Sequence, residues 1–136
     1  VLDWDARSLR IRGEPVMILS GEFHYWRVPD RERWESVLRG YKAVGVNTIR
    51  IYFSWAYHSP AQGTYHFTAN RDIDHLLTLC SQLGLFVLVA PGPYICAETQ
   101  GGGIPQWVVA KRDVRIRHSV TNFWRRYDPE YSRYSQ

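Results

Sequence analysis

Apolar residues recur along this chain in two different rhythms. Trp34, Val37, Leu38 and Tyr41 follow the i, i+3, i+4, i+7 spacing of one helical face, and Ile73, Leu76, Leu77 and Cys80 start the same spacing again. Asp30 stands where the first helix needs a cap, and Gly45 and Gly84 stand where each helix should stop. Between the helices, residues 46–53 are β-branched and aromatic enough to predict a strand. Residues 85–90 are apolar without alternation, which predicts a strand covered on both faces within a parallel sheet. Upstream, Leu9-Arg10-Ile11 and Val16-Met17-Ile18-Leu19 flank a turn at residues 12–15. This predicts a β-hairpin over about residues 8–19, whose second arm runs on through residues 20–25 as the first core strand. Residues 54–70, rich in glycine, proline and aromatics, read as a loop.

The order is strand, helix, strand, helix, strand, with helix-to-strand connections of one or two residues. Such an order predicts βαβ units and a parallel sheet. A doubly wound nucleotide-binding sheet would often carry a glycine-rich phosphate turn after its first strand. Here Ser20-Gly21-Glu22-Phe23-His24-Tyr25 occupies that place, with no G-x-G-x-x-G. Aromatic and ionisable residues follow every predicted strand: His24 and Tyr25, Tyr52 and Trp55, Tyr94 and Glu98. Chemistry at each strand end favours a (β/α)8 TIM barrel. The expected fold class is therefore α/β, comprising about three βα units from the N-terminal portion of such a barrel, preceded by the hairpin.

Length changes that picture. A barrel of this kind needs roughly 250 residues, whereas the chain has 136. Asp128-Pro129-Glu130 reads as the cap, first-position proline and acidic first turn of a third helix, close to Gln136. Residues 1–136 are thus expected to form one incomplete domain, a fragment of a longer protein. The absence of an initiator methionine at Val1 fits either a removed signal segment or a start inside a longer protein.

Composition excludes several classes of function. A hydrophobic content of 45% with six tryptophans is incompatible with a disordered chain, and no apolar run approaches the length of a bilayer span. The net charge of +4 comes from the tail, because residues 1–106 carry ten basic and ten acidic side chains. Basic residues there alternate with Phe123, Trp124 and Tyr127, but Asp113, Asp128 and Glu130 interrupt them and no nucleic-acid module accompanies them. A solvated surface loop is expected. Cys80 and Cys96 are too few for a disulfide framework, and Cys80 is expected as a buried thiol. His24, His58 and Glu98 lack metal-ligand spacing, while His66 and His75 read as surface or satisfied core histidines. No G-x-S-x-G elbow is present. Neither a cofactor nor a metal is expected.

The densest candidate chemistry follows the third predicted strand. There Tyr94, Cys96 and Glu98 precede Gly101, Gly102 and Gly103, glycines that let a backbone approach a ligand closely. Glu98 is read either as a pocket carboxylate or as a loop residue facing water.

The motifs resemble the start of a family 35 glycoside hydrolase, the family of most retaining exo-β-galactosidases of fungi, plants and animals. The resemblance runs from Ser20-Gly21-Glu22-Phe23-His24-Tyr25, Arg27-Val28-Pro29 and Trp34 through Ala43-Val44-Gly45-Val46-Asn47-Thr48 and Tyr52-Phe53-Ser54-Trp55. It continues through His58-Ser59-Pro60 and Gly63. It is strongest at Pro91-Gly92-Pro93-Tyr94-Ile95-Cys96-Ala97-Glu98, with Gly102-Gly103-Ile104-Pro105 and Trp107 beyond. Ser59-Pro60 departs from the family's common glutamate after His-x, and residues 120–127 look like an insertion.

The resemblance implies roles. Tyr52 would hydrogen-bond a terminal galactose, and Cys96, Ala97 and Glu98 would line its subsite, with Glu98 accepting from ring hydroxyls. Cys96 replaces an asparagine found in many fungal relatives. The catalytic acid/base, in an N-E motif after strand four, and the nucleophile after strand seven would both lie beyond Gln136. Glu98 is therefore expected to bind substrate rather than to catalyse, and Glu22 to serve as a structural partner for Arg27 or a backbone amide. A terminal β-galactoside saccharide is the implied partner, and secretion or a lysosomal or vacuolar location is the implied setting. Neither nucleic acid nor membrane is expected to bind, and oligomeric state is left open. Two alternatives are an exo-glycosidase for another sugar on the same barrel and a non-catalytic carbohydrate-binding remnant.

Overall fold

A computed structural model describes residues 2–112, 114 and 133–134. It holds two three-stranded sheets. The first is antiparallel, in the order β1 (Leu2–Trp4), β2 (Leu9–Ile11), β3 (Glu14–Val16). The β2–β3 turn is two residues long, Arg12 and Gly13, both with positive φ. That conformation matches the right-handed twist of a two-residue hairpin. Strand β1 extends the hairpin beyond the two arms expected from the sequence. The second arm ends at Val16 and does not run into the core strand. Asn47 explains the break: its side-chain amide donates to the Met17 carbonyl at 2.8 Å and accepts from the Leu19 amide at 2.9 Å. Residues 17–19 thus spend backbone groups on Asn47 instead of on a strand ladder.

The second sheet is parallel, β4 (Ser20–Glu22), β5 (Thr48–Tyr52) and β6 (Phe86–Ala90), with β5 in the centre. Helix α1 (Trp34–Ala43) joins β4 to β5, and α3 (Ile73–Gln82) joins β5 to β6. Asp30 caps a 3-10 turn, Arg31–Arg33, by accepting from the Glu32 amide, and α1 follows directly. Asp72 caps α3 by accepting from the His75 amide at 2.9 Å. Both helices end alike. Gly45 donates to the Lys42 carbonyl and Val46 to Tyr41; Gly84 donates to Ser81 and Leu85 to Cys80. With positive φ at each glycine, these are Schellman closures that turn the chain straight into the next strand.

The core lies between the helices and one face of this sheet. Ile49, Ile51, Trp34, Leu38, Leu76 and Cys80 have no exposed surface there. Two expectations need correction. Strand β6 is not covered on both faces, since Phe86, Leu88 and Val89 are 39%, 48% and 46% exposed. Among the described residues it pairs with β5 alone, and its apolar run exceeds what the two helices can bury. Residues 54–70 are not all loop either. Ser54 accepts from the Tyr57 amide and caps a single-turn helix, α2 (Trp55–His58). A last short helix, α4 (Gln106–Val109), follows the glycine cluster. The helix expected at Asp128 and the basic-aromatic run at 123–127 lie outside the described residues.

Candidate functional site

Three segments meet at the carboxyl ends of the parallel strands, and each side chain gets there for a local reason. Strand residues alternate between faces. With Ile49 and Ile51 directed to the helices, Arg50 and Tyr52 take the opposite face, and the parallel register puts Glu22 beside Arg50. Gly21, between Ser20 and Glu22, faces α1, where a Cβ would fall 2.5 Å from the Tyr41 ring. That close approach lets the Tyr41 hydroxyl donate to the Glu22 carbonyl at 2.7 Å, pinning the strand end.

Glu22 is the hub of the polar contacts. Its carboxylate accepts from the Tyr52 hydroxyl at 3.2 Å and from the Arg50 guanidinium at 3.5 Å, and it lies 3.8 Å from the His24 ring nitrogen. The Arg50 guanidinium also sits 4.7 Å over the Tyr52 ring, a cation–π arrangement. His24 stacks on Trp26 at 4.8 Å and meets Tyr52 edge-on at 5.5 Å. Burial, followed by the positive charge of Arg27, holds the His24 pKa below its ordinary value, although the Glu22 and Glu98 carboxylates oppose that shift. Partial desolvation, followed by the Glu22 charge, raises the Tyr52 pKa, so the phenol keeps its proton at neutral pH.

The loop after β6 carries the other sequence-predicted residues. Cys96, Ala97 and Glu98 are three consecutive non-glycine residues in the left-handed region, with φ of 58°, 46° and 48°. Such conformations cost on the order of 1 kcal/mol each and persist only where the surroundings impose them. Here Arg27 imposes them, donating to the Ala97 carbonyl at 2.5 Å and to the Glu98 carbonyl at 3.3 Å. From the other side the Cys96 carbonyl accepts from the Thr99 amide and hydroxyl at 3.1 and 3.0 Å. Gly102 then passes so close to Tyr94 that a Cβ would lie 2.0 Å from its ring.

Tyr52 and Cys96 line one cleft of about 390 Å³, together with Arg50, Pro91, Tyr94 and Ile95. Glu98 is exposed on the same loop, close enough for its charge to act on His24. Ala97 is buried, and its carbonyl is taken by Arg27, so its contribution is the shape of the loop. The expected pairing of Glu22 with Arg27 is not what forms. Arg27 reaches across to the loop after β6, and Glu22 takes Arg50 and Tyr52 instead. Arg50 had no signal of its own in the sequence, because its partnership depends on the strand register.

A separate polar pair, Tyr25 and His58, is buried in the structure. The Tyr25 hydroxyl is 2.6 Å from His58 Nε2, and His58 Nδ1 is 2.7 Å from the His66 carbonyl. Since a carbonyl only accepts, Nδ1 carries the proton and Nε2 accepts from Tyr25. Both ring nitrogens are thereby occupied, so His58 has no free donor to offer a metal.

The sequence that builds this arrangement has relatives among known proteins. The family model for Glycosyl hydrolases family 35 matches residues 8–134. The chain belongs to that family. It is 39% identical to a probable beta-galactosidase B of Penicillium rubens over 97% of its own length and 13% of that protein's. It is 38% identical to the probable beta-galactosidase B of Aspergillus fumigatus over 100% of the chain and 14% of the relative. A beta-galactosidase of Mus musculus is 39% identical over 96% of the chain and 19% of its own length. The chain thus spans less than a fifth of each of these relatives.

Proposed function

We propose that this chain is the N-terminal part of a TIM-barrel glycoside hydrolase that releases terminal β-linked galactose with retention of configuration. Residues 1–136 would supply a hairpin and the first three βα units. The face of the parallel sheet away from the helices, carrying Glu22, Arg50 and the half-exposed Leu88, is what a barrel would enclose. The observation that carries the reading is the meeting of Tyr52, Cys96 and the Glu98 loop at the carboxyl ends of consecutive parallel strands, where barrel enzymes place their sites.

In this reading Tyr52, Cys96, Ala97 and Glu98 form part of the sugar subsite. A carboxylate such as Glu98 accepts from two vicinal hydroxyls at once, and charge-assisted bonds of this kind are stronger than neutral ones. Tyr94 and the tryptophans offer flat apolar faces to the C–H side of the ring. Retention needs two carboxylates roughly 5–5.5 Å apart. In this reading the catalytic pair follows later strands, outside residues 1–136, while Glu22 serves Arg50 and Tyr52 and Glu98 binds substrate. The test is the full-length protein acting on p-nitrophenyl β-galactoside, with the product anomer followed by NMR. Release of β-galactose first is expected. No cleavage of any β-galactoside, or release of the α-anomer, would overturn the reading.

A further inference from the structure

We infer that Glu22 and Arg50 form a positioning device that fixes Tyr52 as a hydrogen-bond acceptor for a sugar hydroxyl. The inference deepens the sugar-subsite reading and rests on it. A phenol has one proton and two lone pairs, so it can either donate to a ligand or accept from one. The Tyr52 hydroxyl donates to Glu22 Oε1 at 3.2 Å, which commits its proton and leaves the oxygen of this cleft-lining residue able only to accept. A carboxylate receiving that proton makes the phenol oxygen a better acceptor, through the cooperativity of linked hydrogen bonds. The matching ligand group is a hydroxyl donor.

Three neighbours restrain Glu22. Arg50 reaches it at 3.5 Å while lying 4.7 Å over the Tyr52 ring, so one guanidinium restrains both members of the pair. Tyr41 pins the Glu22 backbone at 2.7 Å, and His24 lies against both the carboxylate and the Tyr52 ring edge. Glu22 and Arg50 side chains are each 48% exposed, so as an isolated ion pair they would contribute little to stability. Geometry, not stability, is what the cluster supplies.

The experiment is a double-mutant cycle in the full-length protein, with Glu22→Gln, Tyr52→Phe and both together, read as kcat and KM on p-nitrophenyl β-galactoside with Tm measured alongside. Glu22→Gln is expected to lower kcat/KM roughly tenfold in the wild-type background, in line with loss of a charged acceptor. In the Tyr52→Phe background it should cost less than about twofold, with Tm nearly unchanged, because coupled residues are not additive. Equal penalties in both backgrounds would overturn the positioning role while leaving the sugar subsite intact. A Tyr52→Phe variant with wild-type kinetics would overturn the subsite reading and this inference with it. A crystal structure of the Glu22→Ala protein gives a readout independent of turnover. The Tyr52 hydroxyl should swing from its present position, and an unmoved phenol would sink the proposal even if no galactoside is cleaved.

Discussion

The two faces of the parallel sheet are built from alternate residues of the same strands, yet they follow opposite rules. On the helix side Ile49 and Ile51 are fully buried against α1 and α3, in a core of Trp34, Leu38, Leu76 and Cys80. On the other side Arg50 lies between them in sequence, exposed and paired with Glu22, while Leu88 on the next strand is 48% exposed. One face is held by apolar area removed from water, the other by a few directed polar contacts. Loss of volume should therefore cost most on the first face, and loss of a polar contact should matter on the second chiefly where a ligand is oriented.

The largest effect is therefore expected on the helix face. Ile51→Ala should destabilise the full-length protein by about 2–5 kcal/mol, measured by chemical denaturation, through lost transfer energy and the cavity left behind. Leu88→Ala probes whether the contrast survives in the intact protein. If a barrel encloses the other face, Leu88→Ala should also approach the core range. If that face meets water, the cost should stay near 0.5 kcal/mol, and the barrel reading would fail at this strand.

Gly102 extends the test to the loop. Its φ of 61° and the 2.0 Å approach of a built Cβ to Tyr94 leave no room for a side chain. Gly102→Ala should cost about 1–3 kcal/mol from overpacking, with the left-handed strain added. It should also displace the Ile95–Gly102 hydrogen bond, 2.8 Å in the native loop, and so, on the proposed sugar-subsite reading, lower affinity for galactose. A variant matching wild type in both stability and galactose binding would show that the loop relaxes without consequence.

Glu98→Gln is expected to act on function alone. The side chain is exposed, so stability should change by less than about 0.5 kcal/mol. Exchanging a charged acceptor for a neutral one should lower kcat/KM by about an order of magnitude. Wild-type kinetics would show that Glu98 merely faces solvent.

Legibility followed the range of the interactions. Helices α1 and α3, with their aspartate caps and glycine ends, were readable because each signal sits within a few residues of its effect. The apolar run of β6 predicts cover on both faces because it reports a preference for burial, whereas its exposure depends on neighbours. Helix α2 escaped because a four-residue turn has no periodicity, although Ser54 before Trp55 was a usable cap signal. Tyr52, Cys96, Ala97 and Glu98 stood out as motif residues, but the Glu22–Arg50 contact spans 28 positions and exists only once β4 and β5 are in register. The same holds for Arg27, whose partners lie 70 and 71 residues away.

The smallest effect concerns pH and the buried Tyr25–His58 pair. Burial is the main cause holding the His58 pKa below 6.5, and Arg71 adds to it, while the hydrogen bond to the His66 carbonyl works against it. The unfolded chain would titrate near the ordinary value of about 6.5, so between the two pKa values the unfolded state binds more protons than the folded one. Stability then rises with pH across that window. The contribution is fully present above the unfolded value and is lost as pH falls through the folded one, when a protonated Nε2 can no longer accept from Tyr25. One proton gives a slope of at most about 1.4 kcal/mol per pH unit. His24, also shifted downward, adds in the same direction. His58→Gln keeps a side-chain acceptor for Tyr25 without the titration, so the denaturation midpoint measured from pH 7.5 to 5 should fall less steeply than in wild type. An unchanged pH slope in that variant would mean that His58 is not the group being titrated.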